Sequence, residues 1–137
     1  MNKVLIIEDD PPYRKIYKRK FEVSGFEAEV AEDGEAGLQK MRDFMPDIVF
    51  VDLMMPKMDG FHFLDAAKAD PTIQHIPVIV LTNLSTSNDA QKVLQKGALA
   101  IMVKSDTEPN AIVEKARQVL GGGAPAVSTD DTDSDQV

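Results

Sequence analysis

The 137 residues amount to one compact domain, and nowhere do they approach the roughly 18 consecutive apolar residues of a membrane span. The absence of cysteine excludes disulfides, zinc–thiolate sites, iron–sulfur clusters and thiol catalysis, and together with the early Glu8-Asp9-Asp10 run, which spoils any signal peptide, makes the cytoplasm the expected location. A net charge of −8 leaves no basic face for phosphate backbones, so no nucleic-acid partner is expected.

Val4 to Ile7 predicts a first strand running into Glu8 and Asp9. Asp10 before Pro11 predicts a helix start capped by Asp10, with Tyr13, Ile16, Tyr17 and Phe21 on one face and Gly25 as the stop. Ala28 to Ala31 is a weaker strand signal, followed by a helix over Ala36 to Phe44. Ile48 to Val51 predicts a third strand ending at Asp52, and Phe61 to Ala69 the next helix. Val78 to Leu81 predicts a fourth strand before Thr82, then a helix over Ser87 to Lys96 ended by Gly97. Leu99 to Val103, again weaker, leads to Lys104; Thr107 is the expected cap of a last helix whose stripe is Ile112, Val113, Ala116, Val119 and Leu120.

Short runs rich in β-branched residues and apolar without alternation suit strands covered on both faces. Five such strands alternating with five helices predict an α/β fold, (βα)5, with a doubly wound parallel five-stranded sheet. Residues 1–120 are the expected domain. The remainder, 121–137, opens with Gly121-Gly122-Gly123, is rich in Asp, Ser and Thr, and is expected to be a disordered tail too short to hold an output module.

In an open sheet of this kind ligands bind beyond the carboxyl ends of the strands. That rule gathers Glu8, Asp9, Asp52, Thr82 and Lys104 at one crevice. Three carboxylates there repel one another, each pair by about 4 kcal/mol at 4 Å and an effective dielectric near 20. Lys104 offsets one charge, and a divalent hard cation would offset the rest; Mg²⁺, which takes carboxylates, waters and phosphate oxygens, fits best. With the charges screened, a carboxylate can attack phosphorus, with Lys104 and Thr82 holding the transferred oxygens. Asp52, alone at a strand end before a Leu53-Met54-Met55-Pro56 loop, is the expected phosphoryl acceptor.

Four separated stretches then carry a specific resemblance: Val4 to Asp10, Val51 to Gly60, Pro77 to Thr82, and Gly97-Ala98 with Val103-Lys104. Over about residues 2 to 120 they resemble the motif set of the response regulator receiver domain of two-component signalling, in its stand-alone form. The resemblance implies a flavodoxin-like sheet of order 2-1-3-4-5. It implies that Asp52 accepts a phosphoryl group from a histidine kinase or phosphotransfer protein, that Asp9 and Asp52 bind Mg²⁺ directly, Glu8 through water, and that the Met54 backbone carbonyl completes the protein ligands. It also implies a phosphorylation-controlled output to a downstream target protein through helix four, strand five and helix five, including Ile101 and Ser87 to Lys96. Beyond Mg²⁺-dependent self-phosphorylation and slow self-dephosphorylation, no enzymatic activity is expected.

Three departures from the family pattern bear on the site. Ser105 stands where proline usually follows the lysine, Ile101 where an aromatic switch residue is common, and Asn83 where a small residue usually follows the threonine, so that its side chain can crowd or hydrogen-bond near the phosphoryl site. Met54 and Leu84, two residues after the acceptor and the threonine, cannot orient a water, which makes slow hydrolysis of the acyl phosphate the expectation. These departures also define the rival reading, a protein-binding module that keeps the fold and works without phosphorylation. A phosphatase of the aspartyl-phosphate type would want Asp-x-Asp after strand one, which Glu8-Asp9-Asp10 lacks. Met54, Met55 and Met58 are read as packing residues rather than a soft-metal site, and His62 and His75 are given no chemistry.

Overall fold

A computed structural model describes residues 2–83 and 87–121. The elements run β1 (Lys3–Ile7), α1 (Pro11–Val23), β2 (Glu27–Ala31), α2 (Gly34–Phe44), β3 (Ile48–Val51), α3 (Gly60–Ala69), β4 (Val78–Thr82), α4 (Ser87–Gln95), β5 (Ala100–Val103) and α5 (Pro109–Leu120), with a 3-10 turn at Lys104–Asp106 between the last two. All five strands are parallel and lie in the order β2-β1-β3-β4-β5. The expected topology is therefore the observed one. Leu84 and the expected tail from residue 122 onward lie outside the described residues.

The three inner strands are buried on both faces because their alternate side chains enter two separate cores. Leu5 and Ile7, Val49 and Val51, and Val78 and Val80 face a cluster completed by Leu38 and Met41 of α2, Phe63 and Leu64 of α3 and Val93 of α4. Val4 and Ile6, Ile48 and Phe50, and Ile79 and Leu81 face the other, completed by Tyr17 and Phe21 of α1 and Ile112, Val113 and Ala116 of α5. Each fully buried side chain of this size contributes about 1.5–3 kcal/mol relative to exposure. The edge strands are less covered: β2 begins with exposed Glu27, and β5 is only half-buried throughout.

Two helix starts differ from expectation. Asp10 does occupy the N-cap of α1, but its side chain makes no capping bond. An N-cap carboxylate accepts from the N–H of the second or third helical residue; Pro12 at the second has none, and Asp10 does not bond the Tyr13 N–H at the third. At α5 the N-cap is Glu108 ahead of Pro109, not Thr107. The Thr107 hydroxyl instead donates back to the Val103 carbonyl at 2.7 Å, because the chain first closes the 3-10 turn through Thr107 N–H to Lys104 O at 3.4 Å. By contrast, Asp33 and Asp59, neither singled out in the sequence, cap α2 and α3 by accepting from Ala36 N–H at 2.8 Å and His62 N–H at 2.9 Å.

Candidate functional site

The strand order places the reversal of the chain between β1 and β3, and there the first acidic residues leave the sheet. Glu8 follows β1 and is buried; its N–H donates to Ala31 O at 2.9 Å, while Arg14 of α1 donates to its carbonyl at 2.8 Å. Asp52 follows β3 and is 7% exposed, its N–H bonded to Ile7 O at 3.1 Å. Both carboxylates are thus attached to backbone that the central sheet fixes. Asp9, between Glu8 and α1, is exposed.

Carboxylate oxygens of Glu8, Asp9 and Asp52 lie within 4.8 Å of one another. Lys104, at the start of the 3-10 turn rather than in β5, reaches back across β4 to this group. Its Nζ donates to Glu8 Oε1 at 2.6 Å and Asp52 Oδ2 at 2.8 Å, with a side chain only 5% exposed. The four expected charges meet. Thr82 is the last residue of β4, buried, in register with Val103, at the same carboxyl-end rim.

The loop after Asp52 is anchored at both ends. Met54 N–H donates to Asp52 Oδ1 at 3.3 Å, Leu53 is fully buried, and Gly60 N–H closes onto Leu53 O at 2.9 Å. A Cβ at Gly60 would stand 2.8 Å from Asp52 O and from Leu53 Cα, so this close approach requires glycine. Lys57, at φ 66, takes the left-handed turn within the loop. The Met54 side chain is 62% exposed. His62 pairs through Nδ1 with Asp59 Oδ1 at 2.8 Å at the start of α3.

Burial is the largest influence on Glu8 and raises its pKa above the ordinary carboxylate value; the hydrogen bond from Lys104 opposes it without cancelling it. Burial would lower Lys104, but the bonds it donates to Asp52 and Glu8 outweigh that and hold the ammonium well above its ordinary value. Lys104 stays charged at any physiological pH.

Two contacts, one at Lys104 and one at the residue after it, involve side chains that the sequence assigned elsewhere or left open. The Lys104 Nζ lies 4.6 Å from the ring centroid of Tyr13, a cation–π contact, and Tyr13 in turn stacks on Tyr17 at 5.7 Å. Burial pushes the Tyr17 hydroxyl up to about 12, so this second ring stays neutral. The helical period placed Tyr13 on the inner face of α1; that this face overhangs the site depends on the order of strands, which the period does not encode. The second contact is Asn83, whose Oδ1 accepts from Ser105 N–H at 2.8 Å. Of the two outcomes open to its side chain, a hydrogen bond is the one observed.

The family model of the response regulator receiver domain matches residues 4–117. This chain belongs to that family. The receiver is 36% identical over 115 residues to chemotaxis protein CheV3 of Helicobacter pylori, covering 77% of this chain and 37% of that protein. It is 29% identical over 118 residues to the polar-differentiation response regulator DivK of Brucella anthropi, covering 86% and 95%. Among solved structures, chemotaxis protein CheY4 of Vibrio cholerae superposes with a TM-score of 0.81 at 28% identity, covering 87% of this chain and 98% of that one. The chain spans between 13% and 45% of the length of several other curated relatives.

Receiver domains belong to two-component signalling, bind a divalent metal at an acidic pocket, and are generally not enzymes in their own right. Among the described residues no helix is long and apolar enough to cross a membrane.

Proposed function

We propose that Asp52 accepts a phosphoryl group from a phosphohistidine of a sensor kinase or phosphotransfer protein, and that the resulting acyl phosphate switches the domain's contacts with a downstream protein. The observation that carries this reading is the Lys104 ammonium 2.8 Å from Asp52 within the acidic group. A carboxylate oxygen of Asp52 attacks phosphorus in line, a P–O bond forms as the P–N bond breaks, and the electron pair leaves with the donor imidazole. Lys104, with three rotatable donors, follows the transferred oxygens, and the Thr82 hydroxyl donates to another.

Glu8, Asp9 and Asp52 offer hard oxygen donors of the kind Mg²⁺ prefers, with Asp9 and Asp52 the direct ligands, Glu8 acting through water and the Met54 carbonyl as a further ligand. When bound, the ion supplies positive charge that offsets carboxylate repulsion and the charge on the phosphoryl oxygens. Met54, exposed and apolar, cannot orient a water, which fits a slowly hydrolysed acyl phosphate. The output surface is α4, β5 and α5, where Leu94 of α4 is exposed and Ile101 of β5 half-buried, with Leu99 exposed just ahead of β5. A cysteine-free chain suits a cytoplasmic location for this exchange.

Incubation with Mg²⁺ and a small acyl-phosphate donor, followed by intact-mass measurement, tests the reading. One phosphoryl group added to wild type and none to Asp52→Asn is expected. An unmodified wild type would favour the phosphorylation-independent binding module.

A further inference from the structure

We propose that Asn83 is a positioning residue whose side-chain carbonyl latches the turn that aims Lys104 at Asp52. The inference rests on the reading of Asp52 as phosphoryl acceptor. The paired register of β4 and β5 ends at Thr82 with Val103. One residue beyond Thr82, Asn83 Oδ1 accepts from Ser105 N–H at 2.8 Å and so carries the strand-to-strand connection past Lys104. On the other side, the Thr107 hydroxyl donates to Val103 O at 2.7 Å. The Lys104 backbone is therefore held between two side-chain bonds, in a turn that a 3-10 geometry of only three residues would hold weakly by itself.

The distance to be spanned makes this hold consequential. β5 is the edge strand, and Lys104 must cross the end of β4 to reach residues that follow β3 and β1. A flexible four-carbon stem magnifies any tilt at its Cα into a displacement at Nζ. Asn83 is exposed and fills no core, so its contact with Ser105 serves the turn rather than the packing. The backbone N–H that it binds exists because residue 105 is serine; proline there would remove the donor.

The test follows the rate of phosphoryl uptake from a small acyl-phosphate donor with Mg²⁺, by intact mass, in wild type, Asn83→Ala, Ser105→Pro and the double variant. Asn83→Ala is expected to slow uptake about tenfold, since sub-ångström misplacement of a catalytic group has effects of this order. Its melting temperature should stay within about 2 °C of wild type, as for other exposed side chains. In the Ser105→Pro background the same substitution should change nothing further, because the latch has already lost its donor. Uptake by Asn83→Ala at or above the wild-type rate, or an equal slowing in both backgrounds, overturns the proposal. Hydrogen exchange at the Ser105 amide gives a reading independent of phosphorylation: faster exchange in Asn83→Ala supports the latch and unchanged exchange overturns it. If wild type itself takes no phosphoryl group, the Asp52 reading fails, and the latch is decided by that amide alone.

Discussion

The acidic rim has two sides that differ in what solvent does for them. Glu8 and Asp52 are buried and bonded to Lys104, whereas Asp9, one residue from Glu8, is exposed. The buried pair has lost its water and is balanced by a single ammonium; the exposed carboxylate keeps its water and is the natural point of entry for a cation. The contrast separates a fixed charge balance, built into the fold, from a variable one completed by ligand.

Removing the ammonium breaks the contrast most severely. Lys104→Met leaves two buried carboxylates facing each other, and breaking a buried pair in this way costs about 3–5 kcal/mol. Urea unfolding at neutral pH measures that loss, which should shrink as acid protonates the uncompensated carboxylates. Next in size is Gly60→Ala. Its Cβ would press on Asp52 O and Leu53 Cα, both backbone, so a loss of about 1–3 kcal/mol is expected, with weaker phosphoryl uptake because the acceptor's own peptide must move. Tyr13→Leu keeps the apolar contact but removes the ring face under Lys104, for a loss of about 0.5–2 kcal/mol in the same unfolding measurement.

The pH dependence sharpens the comparison with the smallest effect. Glu8 has a raised pKa when folded, so the folded state binds the proton more tightly than the unfolded chain does. Stability contributed by its protonated form is complete below the ordinary carboxylate value of 4.5 and is lost as pH rises through the higher folded value. Unfolding free energies measured from pH 4 to pH 7 should show that decline in wild type and in Asp9→Asn. Glu8→Gln should lack it.

How much of this was legible in the sequence follows from burial. The inner strands announce themselves because both faces of Val4–Ile7, Ile48–Val51 and Val78–Leu81 are covered, which forbids polar interruptions. Glu27–Ala31 and Ala100–Val103 are edge strands with partly solvated side chains, so their signal is diluted by residues such as Glu29. The shared rim was legible because the strand-end rule gathers five separate positions at one edge of the sheet. Helix caps fared unevenly. A cap depends on local backbone geometry as well as residue type: Asp10 sits at the N-cap of α1 without bonding a helical N–H, and the 3-10 turn at Lys104–Asp106 shifts the start of α5 past Thr107, to Glu108. The Tyr13 ring under Lys104 and the Asn83 bond to Ser105 join residues far apart in the chain, and only the assembled sheet brings them into contact.

The most direct measurement is to locate the phosphoryl group itself. After labelling with a small acyl-phosphate donor and Mg²⁺, reduction of the acyl phosphate and peptide mass mapping should find the modification on Asp52 alone. Modification at Asp9, Glu8 or any histidine, with Asp52 untouched, would contradict the assignment of Asp52 as acceptor.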